Sequence, residues 1–141
     1  MSGPPGAGKS SWIRAHAKAT DIVIDFDLLA LALAGPGADH HRHGRTLEKV
    51  VHRVRFAAIR EAEHHLDTVD VYLINTMPSP RDLANYKRLK AKLITVDPGR
   101  EIVMQRIRDM RQPGMAAVAE RWYKKHPPRS PSAMPQASRR W

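Results

Sequence analysis

The residues best suited to chemistry stand at the head of the chain: Gly3-Pro4-Pro5-Gly6-Ala7-Gly8-Lys9-Ser10. They fit the pattern G-x-x-x-x-G-K-[ST] at every fixed position, and each position has a mechanical meaning. Glycines let the backbone close around an anion with several N–H groups turned inward. Lys9 would reach the β- and γ-phosphates of ATP, and the Ser10 hydroxyl would hold Mg²⁺. A helix that starts here turns its positive end toward the same phosphates. The stretch therefore predicts a phosphate loop in which Gly3, Pro4, Pro5, Gly6, Ala7, Gly8, Lys9, Ser10 and Ser11 bind ATP and Ser10 is the metal ligand. The competing reading is a Gly/Pro-rich turn with an incidental lysine. The helix-like segment that follows at once argues against it.

A phosphate loop does not say what happens to the γ-phosphate. Phosphoryl transfer also needs positive charge on the moving group and a base for the acceptor. Asp27 is the best base candidate, because it ends the run Asp21-Ile22-Val23-Ile24-Asp25-Phe26. Open parallel sheets bind ligands at the C-terminal ends of such strands. The same aspartate could instead cap a helix beginning at Leu28, and the two roles are compatible. Asp25 is a weaker candidate for the base or for a metal–water contact. Arg106, Arg108 and Arg111 stand just before the break Gln112-Pro113-Gly114. Arginines on such a segment could close over ATP and offset transition-state charge, or simply form a solvated helix face. His40, His41 and His43 follow Asp39 and could hold a transition metal, but their spacing matches no zinc pattern. A polar loop is the favoured reading there.

The positioning elements follow from periodicity. Helices are predicted over residues 10–19, 28–31, 46–66, 80–89, 100–111 and 115–125, and strands over 21–25, 69–75 and 92–96. In the helix at 46–66, Leu47, Val50, Val51, Val54, Ala58 and Ala62 form the apolar stripe, with Arg45, His52, Arg53, Arg55 and Arg60 on the remaining surface. In the helix at 100–111 the stripe is Ile102, Val103, Ile107 and Met110. Ser79-Pro80 reads as an N-cap followed by proline at the first helical position. Alternating strands and helices behind a phosphate loop predict an α/β fold: a three-layer P-loop kinase-like parallel sheet. Only Met1 and Ser2 precede Gly3, so the strand that should lead into the loop is expected to be missing.

A chain of 141 residues suits one domain: residues 1–126 form the kinase-like domain and 127–141 a basic, Pro/Ser-rich tail expected to be disordered. The absence of cysteine excludes disulfides and thiolate metal sites. No apolar run is long enough to span a bilayer and no signal peptide is visible, so a cytoplasmic protein without membrane partners is expected. Lys and Arg total 24 against 14 Asp and Glu, a net charge of +10. That excess points to nucleic acid as a partner, against the plainer reading of a basic solubilising surface. Oligomeric state is not legible.

With these residues in place, the chain resembles the 5′-hydroxyl polynucleotide kinase family of P-loop kinases, in its phage-type end-healing form. The family's opening G-x-P-G-x-G-K-[ST]-x-W matches Gly3 to Trp12, tryptophan included. Its general-base aspartate falls on Asp27, its strand–Asp-Thr-Asn segment and helix start on Ile74-Asn75-Thr76 and Ser79-Pro80-Arg81, and its lid on Arg111, Gly114 and Trp122-Tyr123. The match spans residues 3–125, and only the loop is highly specific. The resemblance implies ATP-dependent transfer to a hydroxyl, with Lys9, Asp27 and Arg111 as the catalytic groups and Arg106 and Arg108 on the nucleotide. Two departures concern the acceptor: the family's phosphate-gripping arginine is Ala30 here, and a later acidic position is Asn75. Arg53 or Arg45 could supply the lost phosphate contact. The acceptor therefore stays open among a nucleic-acid 5′-hydroxyl, a nucleotide, a modified base and a small molecule. Two other classes remain: an ATPase module of a nucleic-acid-processing protein, and a non-catalytic nucleic-acid-binding remnant.

Overall fold

The computed structural model describes residues 1–110 and 113–127. Arg111 and residues 128–141, nearly all of the expected tail, lie outside the described residues. Among the described residues the fold is α/β, with six α-helices and a small two-stranded parallel sheet. The chain divides into two compact units, one of Met1–Trp12 and Asn75–Trp141, the other of Ile13–Ile74. No helix among the described residues is long and apolar enough to cross a membrane.

In the unit Ile13–Ile74, strand β1 (Ile22–Ile24) pairs in parallel with β2 (Val71–Leu73), with Val23 opposite Tyr72. Parallel pairing needs a crossover, supplied by helices α2 (Phe26–Leu33) and α3 (Arg45–Ala62). Asp25, not Asp27, is the N-cap of α2: its carboxylate accepts from the Asp27 N–H at 3.1 Å. Helix α2 therefore begins at Phe26, two residues earlier than its apolar run suggests, and Asp27 sits inside the first turn. Helix α3 ends at Ala62 and passes into a 3₁₀ turn over Glu63–His65. Its buried line is narrower than the predicted stripe. Val51 and Ala62 are buried and Leu47, Val54 and Ala58 half-buried, whereas Val50 is exposed. Val50 lies about 100° around the helix from Val51 and misses the contact arc. Arg55 leaves the surface assigned to it and donates from Nη2 to the Ile74 carbonyl at 2.8 Å, just past β2.

In the other unit, Met1 and Ser2 take part in strand pairing. Ser2 bridges Thr95 in parallel, its N–H donating to Ile94 O at 2.8 Å and its carbonyl accepting from Val96 N at 3.0 Å. The Asn75 N–H donates to Met1 O at 2.9 Å. Where the sequence led to no strand being expected before the loop, Ser2 therefore forms an isolated parallel bridge. The strand predicted over 92–96 is reduced to that single bridge at Thr95.

Helix α4 (Pro80–Arg88) starts with the predicted Ser79 cap and Pro80, closed as a reciprocal capping box with Asp82. Helices α5 (Arg100–Asp109) and α6 (Pro113–Lys125) enclose a core of Ala7, Val103, Ile107 and Ala119. Val103 and Ile107 stand one above the other at i, i+4 and are buried, but Ile102 and Met110 of the predicted stripe are exposed.

Gly3 adopts φ 137°, and a Cβ there would lie 2.1 Å from the Val96 carbonyl oxygen. Gly37 also has positive φ, 81°, but nothing lies within 4 Å of its Cβ position. Gly3→Ala is therefore expected to cost at least ~2 kcal/mol, through clash and strain together. Gly37→Ala should cost about 1 kcal/mol, through strain alone. Thermal unfolding of the two variants checks the order.

Candidate nucleotide site

The loop from Gly3 to Gly8 turns on three glycines of positive φ: Gly3 at 137°, Gly6 at 76° and Gly8 at 96°. A turn closes inside it, the Ala7 N–H donating to Pro4 O at 3.2 Å. The N–H groups of Gly6 and Gly8 find no acceptor among the described residues. Helix α1 (Lys9–His16) starts immediately after and adds its own N-terminal N–H groups, the ordinary means of receiving a phosphate. Lys9 is only 8% exposed, and its ammonium donates to Gly3 O at 2.8 Å and Pro4 O at 2.7 Å. Hydrogen bonds to the charged group make that burial tolerable. Ser10 is exposed in the first turn of α1.

Helix α5 braces the loop from outside. Arg106 Nη1 donates to Gly6 O at 3.1 Å and Ala7 O at 3.2 Å, a hundred residues away in sequence. A Cβ at Gly6 would touch Ile107 at 3.4 Å, and one at Gly8 would touch Arg106 at 3.5 Å. Beside the loop opens a cleft of 430 Å³ lined by Gly6, Gly8, Ser11, Trp12, Pro98 and Arg106, among others. A larger hollow of 620 Å³ is lined by residues of α5 alone. Of the lid arginines, Arg106 is on the loop, Arg108 instead pairs with Gln105 Oε1 at 2.7 Å, and Arg111 lies outside the described residues.

The loop fits ATP and Mg²⁺ in the chemistry of its donors. It offers N–H groups without acceptors, a buried lysine and a helix start that would suit phosphates, and an exposed Ser10 whose hydroxyl would be the chain's own ligand to Mg²⁺. Mg²⁺ commonly takes its other positions from water and phosphate oxygens.

Asp27 belongs to the unit Ile13–Ile74, and its surroundings are a result of the fold. Its Oδ2 lies 3.2 Å from His41 Nδ1 and its Oδ1 3.4 Å from His43 Nε2. The second contact is within ion-pair range but lacks hydrogen-bond geometry, so neither nitrogen of the buried His43 ring is hydrogen-bonded. Asp39 shapes the loop by accepting from the N–H groups of His41, at 2.8 Å, and Arg42, at 3.0 Å. These bonds, the His41 N–H above all, hold the Asp39 carboxyl below its ordinary range. Among the described residues no group of three His, Asp or Glu side chains is placed to hold a metal. Of the remaining acceptor candidates, Asn75 is engaged with Asp82 and Tyr86, and Ala30 is fully buried in α2.

Sequence reasoning missed three partnerships: His41 and His43 with Asp27, Arg55 with the end of β2, and Tyr123 with Asp97. The histidine loop was visible as a cluster, but its carboxylate partner is fourteen residues away and no local pattern joins them. Tyr123 donates to Asp97 Oδ1 at 2.7 Å, and the same oxygen accepts from Gly99 N at 3.0 Å, which fixes the turn entering α5. Burial, then the bond to Asp97, pushes the Tyr123 hydroxyl well above the ordinary tyrosine value.

A group whose pKa rises on folding contributes stability below its unfolded pKa and loses it as pH climbs toward the folded value. Stability is therefore expected to fall from about pH 10 upward. Tyr123→Phe should make that decline shallower, as read by denaturant unfolding across the alkaline range. Compared with protein-family models, curated proteins and solved structures, the chain gives no match.

Proposed function

We propose that the protein transfers the γ-phosphoryl group of ATP to a hydroxyl of a nucleic acid or nucleotide, as its resemblance to 5′-hydroxyl polynucleotide kinases implies. The finer reading of the fold as a P-loop kinase belongs to the same proposal. One observation carries it: a loop of positive-φ glycines runs into a helix whose first residue is a buried lysine. Lys9 and the loop N–H groups hold the phosphates, and Ser10 would hold Mg²⁺, which when bound neutralises charge on the β- and γ-oxygens. Arg106 braces the loop, and Arg108 and Arg111 remain as candidate lid groups. Deprotonation of the acceptor depends on Asp27.

The outer face of α3 supports a polyanionic acceptor. Arg45, Lys49, Arg53, Phe56 and Arg60 recur at three- and four-residue steps, all exposed, and His52 lies among them. Phe56 is 63% exposed and the Arg60 guanidinium lies 5.9 Å from its ring centre. Cations flanking an exposed ring suit a single strand, which offers phosphates and a base to stack.

Incubation with γ-labelled ATP and a panel of 5′-hydroxyl DNA, 5′-hydroxyl RNA, nucleosides and buffer alone tests the reading. Label is expected on a nucleic-acid or nucleotide acceptor. Asp27→Ala should lower transfer by roughly 10²–10⁴-fold while ATP binding persists. Lys9→Ala should abolish both transfer and most binding. DNA-stimulated phosphate release without a labelled acceptor would make the protein an ATPase module, and failure to bind ATP would end the proposal. Separately, Phe56→Ala should weaken binding of a single-stranded oligonucleotide by about 1–3 kcal/mol. Arg60→Gln should make the salt dependence shallower by about 0.7 in log–log slope.

A further inference from the structure

The cleft beside the loop holds an acid. Trp12, Val96, Pro98 and Met110 give it apolar wall, and the charged residues that line it, among those described, are Arg106 and Asp109. All of these belong to the unit that carries the loop. Its volume of 430 Å³ is that of a small-molecule site. Arg106 is turned to the loop, Nη1 donating to the Gly6 and Ala7 carbonyls. Asp109 is held on α5 by two bonds in series. Arg108 Nη2 donates to Gln105 Oε1 at 2.7 Å, and Gln105 Nε2 donates to Asp109 Oδ1 at 2.8 Å. Asp109 Oδ2 has no hydrogen bond among the described residues. A carboxylate accepts at about four lone-pair sites, so most of this one's capacity is open.

An acid repels phosphates. In a cleft next to an anion loop it needs N–H or O–H donors, and a nucleotide carries those on its base and its ribose. Two adjacent donors suit the two oxygens of a carboxylate best, as a pair of parallel bonds to a charged acceptor. Guanine presents such a pair, N1–H beside the N2 amino group. Adenine presents its N6 amino group beside the N1 lone pair, which a carboxylate repels. We propose that the cleft takes the base of the nucleotide whose phosphates lie on the loop, and that Asp109 makes it select guanine over adenine. This rests on the nucleotide reading of the loop. It makes guanosine triphosphate the favoured phosphoryl donor and ATP the weaker one. Gln105 is a positioning residue for the carboxylate.

Isothermal titration calorimetry with GDP, ADP and xanthosine diphosphate, each with Mg²⁺, tests the selection without catalysis. The unaltered chain is expected to bind GDP roughly tenfold or more tighter than ADP. In Asp109→Asn the amide oxygen still accepts from N1–H, but the new NH₂ meets the N2 amino group of guanine. Xanthine carries a carbonyl oxygen at that position. Asp109→Asn should therefore lose affinity for GDP and gain it for xanthosine diphosphate, by roughly tenfold each way. A side chain that only stabilises α5 cannot exchange one base for another. Gln105→Ala should narrow the ratio of GDP to ADP affinity while ADP affinity holds, and an unchanged ratio would remove Gln105 from the proposal. Equal affinity for GDP and ADP in the unaltered chain overturns the selection and leaves nucleotide binding standing. So does an Asp109→Asn variant that weakens all three ligands alike, as loss of a ribose contact would. Binding of none of the three ends the nucleotide reading of the loop, and the selection with it.

Discussion

The carbonyl oxygen of Val96 stands where a side chain at position 3 would begin, 2.1 Å from the site of a Cβ. That approach is possible only for glycine, and it sets the geometry of everything around the loop. Ser2, one residue earlier, is paired on both its N–H and its carbonyl with Ile94 and Val96. The chain thus enters the loop from a fixed strand position, with no side chain to hold it off. Gly6 and Gly8 then reverse its direction at positive φ, where a side chain would add strain of order 1–2 kcal/mol.

A loop drawn in so closely buries polar groups, and the fold satisfies them from two directions. Inside, the Lys9 ammonium answers the carbonyls of Gly3 and Pro4. Outside, Arg106 answers those of Gly6 and Ala7. Both cations therefore serve the loop's own backbone. Arg106 is held there because α5 packs Val103 and Ile107 into the same core as Ala7. One helix thus links apolar packing to the electrostatics of the loop.

The unit Ile13–Ile74 organises its carboxylates by a division of labour. Asp25 spends its side chain on capping α2, and Asp39 spends its own on the turn beneath His41. Asp27, between them in sequence, is used by neither and meets two imidazoles instead. The difference between the three is which N–H groups and ring nitrogens lie within reach.

The sequence by itself determined the elements whose cause is local. The glycine loop, the Ser79 cap with Pro80, the helical periods and the alternation of strand with helix all follow from residues within a few positions of one another. Boundaries failed where a short-range rule competed with a longer one. Asp25 took the cap that Asp27 could have formed, Val50 and Ile102 fell off stripes they matched in spacing, and the strand at 92–96 is a single bridge at Thr95. Tertiary structure alone decided that Arg106 lies on the loop, that Arg55 ties down the end of β2, and that His41 and His43 flank Asp27. The physical reason is distance along the chain: these partners are 14 to 100 residues apart, and their contact is set by how helices pack rather than by any period the sequence carries.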